Sequence, residues 1–405
     1  MTLIDAAFWA KIGLRVGIIV LVLFVGSYYG YILLSWRAVP QSEIFKPDYA
    51  CGTLPELQIS EIPGTDLRDV SISVEAEKTI LTDLPPIVYV YKLDISGQTF
   101  STQQRASAIA QALSFRTATT ISPDNGGRTY SWRDNETGRY LEVDTATLNF
   151  NYSFDLTKLP AIGSAPATQT AEAIAEQTLR GVGVFDTAFS DGKKFSYPIT
   201  LTNNQVKEAR SVQEAHVIRV DFQKATVALR YDKQILSPFG QKTLPINFIE
   251  YLDTTKNNIQ PANLKEYKIQ RVSQTPVTGN MQVYIQNQAG TNTGTKTSAF
   301  RIVSRNWQTE VFPCGTYPII QAADAVRLIK EGTGKLVYAV ERGGDRLDGH
   351  VVPQITSINV TSVYLGYLET FDRQEYLQPV YVAEGEAVFA NGSEGTAAIY
   401  IPALE

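Results

Sequence analysis

The stretch ITSINVTSVYLGYL, Ile355 to Leu368, decides the architecture. Apolar and polar side chains alternate along it, the two-residue period of a strand with one buried face. Ile358 and Val360 share one face, and Val363, Leu365 and Tyr367 share the next alternating set. Parity changes near Thr361, which predicts a β-bulge at that point. The same patterning continues on both sides, in KLVYAV upstream and in YLQPVYVAEGEAVF and AAIYIP downstream. Further upstream, RTYSWRD and RYLEVD flank NETG, so Arg128 to Asp144 reads as a hairpin. TATLNFNYSFD then adds a strand through Leu148, Phe150, Tyr152 and Phe154.

Three short helices interrupt the strands. Ser101 and Gln104 have capping-box spacing, and Ala106, Ile109, Ala110 and Leu113 follow at helical intervals. A second stripe is Ala171, Ile174, Ala175 and Leu179, with Gly181 as its stop. A third is Ala322, Ala325, Val326 and Ile329, ended by Gly332. One helix followed by several antiparallel strands, used three times, predicts an α+β plan in which each sheet lays one face on its helix.

The N-terminal stretch VGIIVLVLFVGSYYGYILLSW, Val16 to Trp36, carries no charge and lies between Arg15 and Arg37. At about 1.5 Å per residue it has the length of a bilayer's apolar core, roughly 30 Å, and aromatic residues crowd its C-terminal half. It reads as a transmembrane helix rather than a cleaved signal peptide, because no A-x-A site follows. Lys11 and Arg15 bias the N-terminus towards the cytoplasm, leaving the remainder extracytoplasmic. Gly26 and Gly30 have GxxxG spacing, which would pack two such helices into a homodimer. Thr2 to Asp5 is similar to a pilin entry phrase, but Lys11 and Arg15 break the apolar helix that pilins continue into.

These signals divide the chain into a cytoplasmic tail (1–15), a transmembrane helix (16–36) and a stalk with connector (37–84). A first α+β unit (85–158), a linker (159–170), a second unit (171–312) and a C-terminal unit (313–405) follow. With 44% apolar and 19% charged residues the chain is a folding one, not a disordered one. A net charge of −5 without a basic cluster argues against nucleic acid as a partner.

YPIIQAADAVRLIKEG, ITSINVTSVYLGYLE, EYLQPVYVAEGEAVF and AAIYIPAL, between Tyr317 and Leu404, resemble the closing domain of YycI-like and YycH-like bacterial extracytoplasmic proteins. Uncharacterised single-pass envelope proteins carry similar phrases. The resemblance implies cystatin-like helix-on-sheet units and a role in regulating a membrane sensor kinase, partly through the transmembrane helix. It carries over no functional residue.

No catalytic, cofactor or metal motif is present: there is no G-x-S-x-G, P-loop, H-E-x-x-H or dinucleotide fingerprint. His216 and His350 are the two histidines, too few to favour a metal or general-base site. Asp345 and Asp348 in ERGGDRLDGH offer oxygen ligands, yet a solvated loop explains them better. Asp134 and Glu136 fit turn chemistry. The sequons at Asn135, Asn151, Asn359 and Asn391 are of the kind a chain rich in Asn, Ser and Thr produces by chance.

Both cysteines open the same phrase, CGTLPELQ at Cys51 and CGTYPIIQ at Cys314. Two thiols without neighbouring histidines leave a zinc ion short of ligands. Two buried free thiols fit the residues, and so does a disulfide; the disulfide is the reading taken, since no third cysteine competes. The expected function is a non-enzymatic, membrane-anchored envelope protein that binds or regulates another membrane or cell-wall protein. An envelope hydrolase with a dispersed site and a structural subunit of a surface assembly are the alternatives.

Overall fold

Period-two patterning recurs through most of the chain, and strands dominate the result. The computed structural model describes residues 20–29, 47–75, 84–85, 87–95, 100–115, 120–122, 129–158, 163–202, 205–232, 264–288, 296–310, 312–347, 354–371 and 374–405. The chain divides into a larger unit, Asp48–Leu229 with Tyr267–Glu405, and a smaller one, Met1–Pro47 with Arg230–Glu266.

Among the described residues there are two nine-stranded sheets. The first contains β1 (Ser71–Val74), β2 (Ile87–Lys92), β10 (Val227–Asp232), β11 (Leu264–Val272), β14 (Gly315–Pro318), β15 (Lys335–Glu341), β16 (Ile355–Leu368), β17 (Tyr376–Phe389) and β18 (Glu394–Pro402). Its centre runs β11-β16-β17-β18-β15. The second contains β3 (Thr120–Ser122), β4 (Thr129–Asp134), β5 (Arg139–Asp144), β6 (Phe150–Phe154), β7 (Lys193–Thr202), β8 (Gln205–Glu208), β9 (Val217–Gln223), β12 (Met281–Gln288) and β13 (Lys296–Ser304). Their order is β3-β4-β5-β6-β13-β12-β9-β7-β8.

This corrects the expected α+β plan of repeated helix-on-antiparallel-sheet units. The chain is mostly β, and strands expected in separate units share a sheet: β6 pairs with β13 from Arg301↔Ser153 to Ser304↔Phe150. The first sheet is also mixed. β16 pairs antiparallel with β17 but takes β1 and β11 as parallel partners, at Ser357 to Val360 and at Gly366 to Leu368. Local periodicity identifies a strand and its buried face, but not the strand beside it; that choice depends on which distant faces are jointly apolar. The register of β16 against β17 shifts between Val360 and Ser362, which places the bulge at Thr361 and keeps both Val360 and Val363 buried.

The helices are α1 (Phe100–Ala112), α2 (Thr168–Val182), α3 (Thr187–Ser190) and α4 (Ala322–Lys330). Ser101 lies inside the first turn of α1. α2 ends two residues beyond Gly181, at Gly183, whose φ of 80° and N–H bond to the Arg180 carbonyl close the helix. Ala171, Ala175 and Leu179 of α2 lie over Ile218, Val220, Phe222, Val283, Ile285 and Ile302, which line one face of the second sheet, and Ala106, Ile109 and Ala110 of α1, beside α2 and β4, complete the same buried cluster.

The transmembrane reading is also corrected. Among the described residues no helix is long and apolar enough to cross a membrane. Residues 20–29 are helical and exposed. The expectation of a single-pass membrane protein, with a cytoplasmic tail and an extracytoplasmic remainder, is withdrawn on this finding. The ends of the expected span, the tail and Gly30 lie outside the described residues. Gly26 lies on the exposed described helix, where a β-carbon would meet no atom of the same chain.

Cys51 and Cys314 are bonded, their Cα atoms 5.3 Å apart. Around the bond the two copies of the repeated phrase meet. The N–H of Asp48 donates to Thr316 Oγ1 at 3.0 Å and the Thr316 N–H returns to Asp48 Oδ1 at 2.7 Å. The Tyr49 N–H donates to the Thr316 carbonyl, and the Tyr317 hydroxyl donates to the Gly52 carbonyl at 2.7 Å. The two glycines do different work. Gly52 turns the chain at φ 74°, whereas a β-carbon on Gly315 would come within 2.9 Å of the backbone nitrogens of Ala50 and Cys51.

Where the two sheets meet, a charged cluster is buried. The Glu369 carboxylate, fully enclosed, accepts from Lys224 Nζ at 3.2 Å and from Arg271 Nη1 on Oε1, and from Asn280 Nδ2 at 2.6 Å on Oε2. Lys224 Nζ also donates to the Trp307 carbonyl, and Trp307 Nε1 donates to the Thr370 carbonyl at 2.7 Å. Lys224 follows β9, Asn280 precedes β12, Trp307 follows β13, and Glu369 follows β16.

Two outcomes are expected. Cys51→Ser and Cys314→Ser each lower stability by the same amount, on the order of 5 kcal/mol at most for so long a loop, and the double variant loses no more than either; additive losses in urea unfolding would contradict a single crosslink. Glu369→Ala leaves two cations without their anion and costs about 3–5 kcal/mol. A drop in urea midpoint worth less than about 1 kcal/mol would mean the carboxylate is solvated.

Candidate binding cleft

The antiparallel β7–β8 pair ends at Glu208, opposite Ile199, and β8 is the outermost strand of the second sheet. β15 is the outermost strand of the first, and the turn after it, Arg342 to Leu347, reaches across to β8. Between them lies a cleft of about 640 Å³, lined by Glu208 and Arg210 on one wall and by Glu341, Arg342, Asp345 and Glu386 on the other, with Arg346 joining the two.

Arg346 is held firmly. Its backbone N–H donates to Glu208 Oε2 at 3.0 Å, and its Nε and Nη2 take both carboxylate oxygens. The hydrogen bonds to Glu208 keep the guanidinium above its usual pKa range. Nη1 makes no hydrogen bond among the described residues, so one edge of the fork remains for a ligand.

Beneath Arg346 runs a cross-strand ladder. Its guanidinium carbon is 5.1 Å from the ring centre of Tyr197, which pairs in register with Arg219 on β9, then Tyr284 on β12, then Arg301 on β13. Each guanidinium stands over a neighbouring ring: Arg219 is 5.6 Å from Tyr197 and 5.7 Å from Tyr284, and Arg301 is 5.2 Å from Tyr284. Arg219 is buried yet charged, because it donates twice to Asp221, at 2.6 Å each, two residues along the same strand face. Burial opposes that charge, but Asp221 outweighs it and holds the guanidinium above its usual range. Asp221 Oδ2 also accepts the Gly279 N–H at 2.8 Å. This ladder gives Arg346 a fixed floor.

The other wall is equally set. Glu341 Oε1 accepts from Ser393 Oγ and Asn391 Nδ2, both at 2.7 Å, which lowers its pKa. Asp345 Oδ1 accepts the Leu347 N–H at 2.9 Å. Arg210 and Glu386 are exposed and have no ionic partner among the described residues. The cleft therefore presents charges of both signs, with Arg210 and Glu386 unpaired among the described residues and on walls from different sheets.

Of the sequence-derived candidates among the described residues, Asp345 lines the cleft. Cys51 and Cys314 are together in the disulfide. Asp134 closes its turn, accepting the N–H groups of Glu136 and Thr137, and pairs with Arg139 at 2.8 Å. His216 Nδ1 accepts the Leu201 N–H at 3.2 Å. Asp348 and His350 lie outside the described residues. Glu208, Arg210, Arg219 and Arg346 went unnoticed. Arg219-x-Asp221 does carry a signal, since residues two apart share a strand face, but nothing in RVDF tells that this face is covered.

No protein-family model matches the chain, and no curated protein matches it. Among solved structures, an uncharacterized protein from Eubacterium rectale ATCC 33656 aligns over 92% of this chain and 95% of its own, at 13% identity and a TM-score of 0.37. That likeness carries no functional argument.

Tyr197 supplies a pH test of the ladder. Burial above all, with the Asp221 charge adding to it, pushes its phenol up from 10.0 to about 12, and its proton is bonded to the Val277 carbonyl at 2.8 Å. The unfolded chain releases that proton first, so this contribution is complete below 10.0 and is lost as pH rises through about 12. The urea midpoint should fall across that window, and less steeply in Tyr197→Phe. Equal slopes would show a phenol that titrates as if exposed.

Proposed function

We propose that the chain is a non-enzymatic binding protein whose cleft between β8 and the β15 turn takes a polar segment of a partner protein. The observation that carries this reading is the mixed-sign cleft itself, whose walls come from different sheets and whose central guanidinium is positioned by Glu208 and Tyr197. Small-molecule pockets are mostly apolar with a few polar groups, whereas protein interfaces place charged groups of both signs around their contacts. Charge placement of this kind sets register and partner choice more than affinity. The resemblance of Tyr317 to Leu404 to YycI-like and YycH-like proteins, which act on a partner protein, supports the same reading.

A photo-crosslinking amino acid at position 210, and at the exposed position 111 of α1 as control, tests it in cells producing the full chain. One defined adduct should form from position 210 and weaken in Glu386→Arg, which reverses the anion of the facing wall. Identical adducts from both positions, or an adduct indifferent to Glu386→Arg, would overturn it.

A further inference from the structure

The segment Gly52 to Ile62 lies on the first sheet as a strap without secondary structure of its own, apart from its turn at the disulfide. It is fixed at both ends. Cys51 anchors one end to Cys314, and the Ile62 N–H donates to the Leu336 carbonyl of β15 at 2.8 Å at the other. Between them, among the described residues, Gln378 Nε2 donates to the Pro55 carbonyl at 3.1 Å and Glu61 pairs with Lys335 at 2.7 Å, half-exposed. Leu57 and Ile59 are half-buried against a cluster that includes Val272, Tyr338, Val380 and Val382. The strap thus covers apolar sheet face and occupies the outer side of β15, which would otherwise be an open edge.

We infer that the Cys51–Cys314 bond is a redox latch on this strap: reduction frees it from the sheet while both sheets stay folded. Two half-buried aliphatic side chains, the buried Ile62 and a few polar contacts, those to the Gly52 and Pro55 carbonyls part-buried, do not compensate the entropy of ordering the whole segment once its covalent end is released. Both cysteines are half-buried rather than enclosed, so a thiolate reaches a sulfur. In the step, a dithiol reductant gives up two electrons and two protons. The Cys51–Cys314 bond breaks to two thiols, and the reductant closes to its own disulfide. The sheets depend on other groups: β16, β17 and β18 pair along their lengths, and Glu369 is bound by Lys224, Arg271 and Asn280.

Hydrogen exchange read by mass spectrometry, on the full chain with and without dithiothreitol, tests this. Amides of the strap, that of Ile62 included, should exchange about tenfold faster or more after reduction, while those of β16 and β17 stay protected over the same exchange times. The variant carrying both Cys51→Ser and Cys314→Ser should match the reduced protein without any reductant. A glutamate-specific protease should cut after Glu56 and Glu61 faster by a similar factor. Equal strap protection in oxidised and reduced protein overturns the latch. So does a loss of protection spread evenly over both sheets, which would make the bond a general stabiliser and not a latch.

Discussion

A carboxylate with no access to water has to be answered by cations and donors held in place, and Glu369 is answered from three separate segments. Lys224 comes from the end of β9, Arg271 from β11 and Asn280 from the start of β12. Enclosing charges costs several kcal/mol for each ion, and mutual attraction repays it only when geometry is good and the remaining donors are used. Here they are used: Lys224 also donates to the Trp307 carbonyl, and the indole of Trp307 donates to the Thr370 carbonyl beside Glu369. The cluster thus contributes specificity more than net stability. It permits one arrangement of the ends of β9 and β16, because any other leaves a buried ion unpaired.

The remaining architecture follows from that junction. β9 is buried along its whole length, on one face by α2 and on the other by the Tyr197–Arg219–Tyr284 ladder. A strand covered on both faces cannot alternate apolar with polar in the simple way, and β9 resolves the conflict by pairing its polar residues with each other. Arg219 and Asp221 satisfy one another, and Tyr197 and Tyr284 cover the guanidinium. The ladder then carries this order to Arg346 at the cleft, so the position of a surface charge is set by groups several strands away.

Much of the local structure was legible in the residues. The parity change at Thr361, the stripes of α1, α2 and α4 and the hairpin around Asp134 depend on neighbours within a few positions. Pairing was not legible, because β6 against β13 joins residues about 150 apart, a distance no periodic pattern spans. Glu369 illustrates the same limit: in YLETFD it reads as a solvated residue after a strand, and only the fold brings Lys224 and Arg271 to it. The apolar run from Val16 to Trp36 misled for the opposite reason. Composition over a window measures what a segment would prefer to avoid, and among the described residues no helix is long and apolar enough to cross a membrane.

The repeated CGTxP phrase shows how little a sequence repeat says about shared function. Its two copies meet, but they occupy opposite sides of one contact and share only the sulfur–sulfur bond as a common role. Gly52 is needed for its backbone angle and Gly315 for its missing side chain; Thr316 exchanges hydrogen bonds with Asp48, while in the first copy it is the glycine carbonyl that accepts, from Tyr317. Duplication of an entry segment would have placed each copy in its own equivalent surroundings. A single complementary contact explains the same residues better, since a small residue, a turn and a hydroxyl beside a cysteine are what two chains require to approach closely enough for a disulfide.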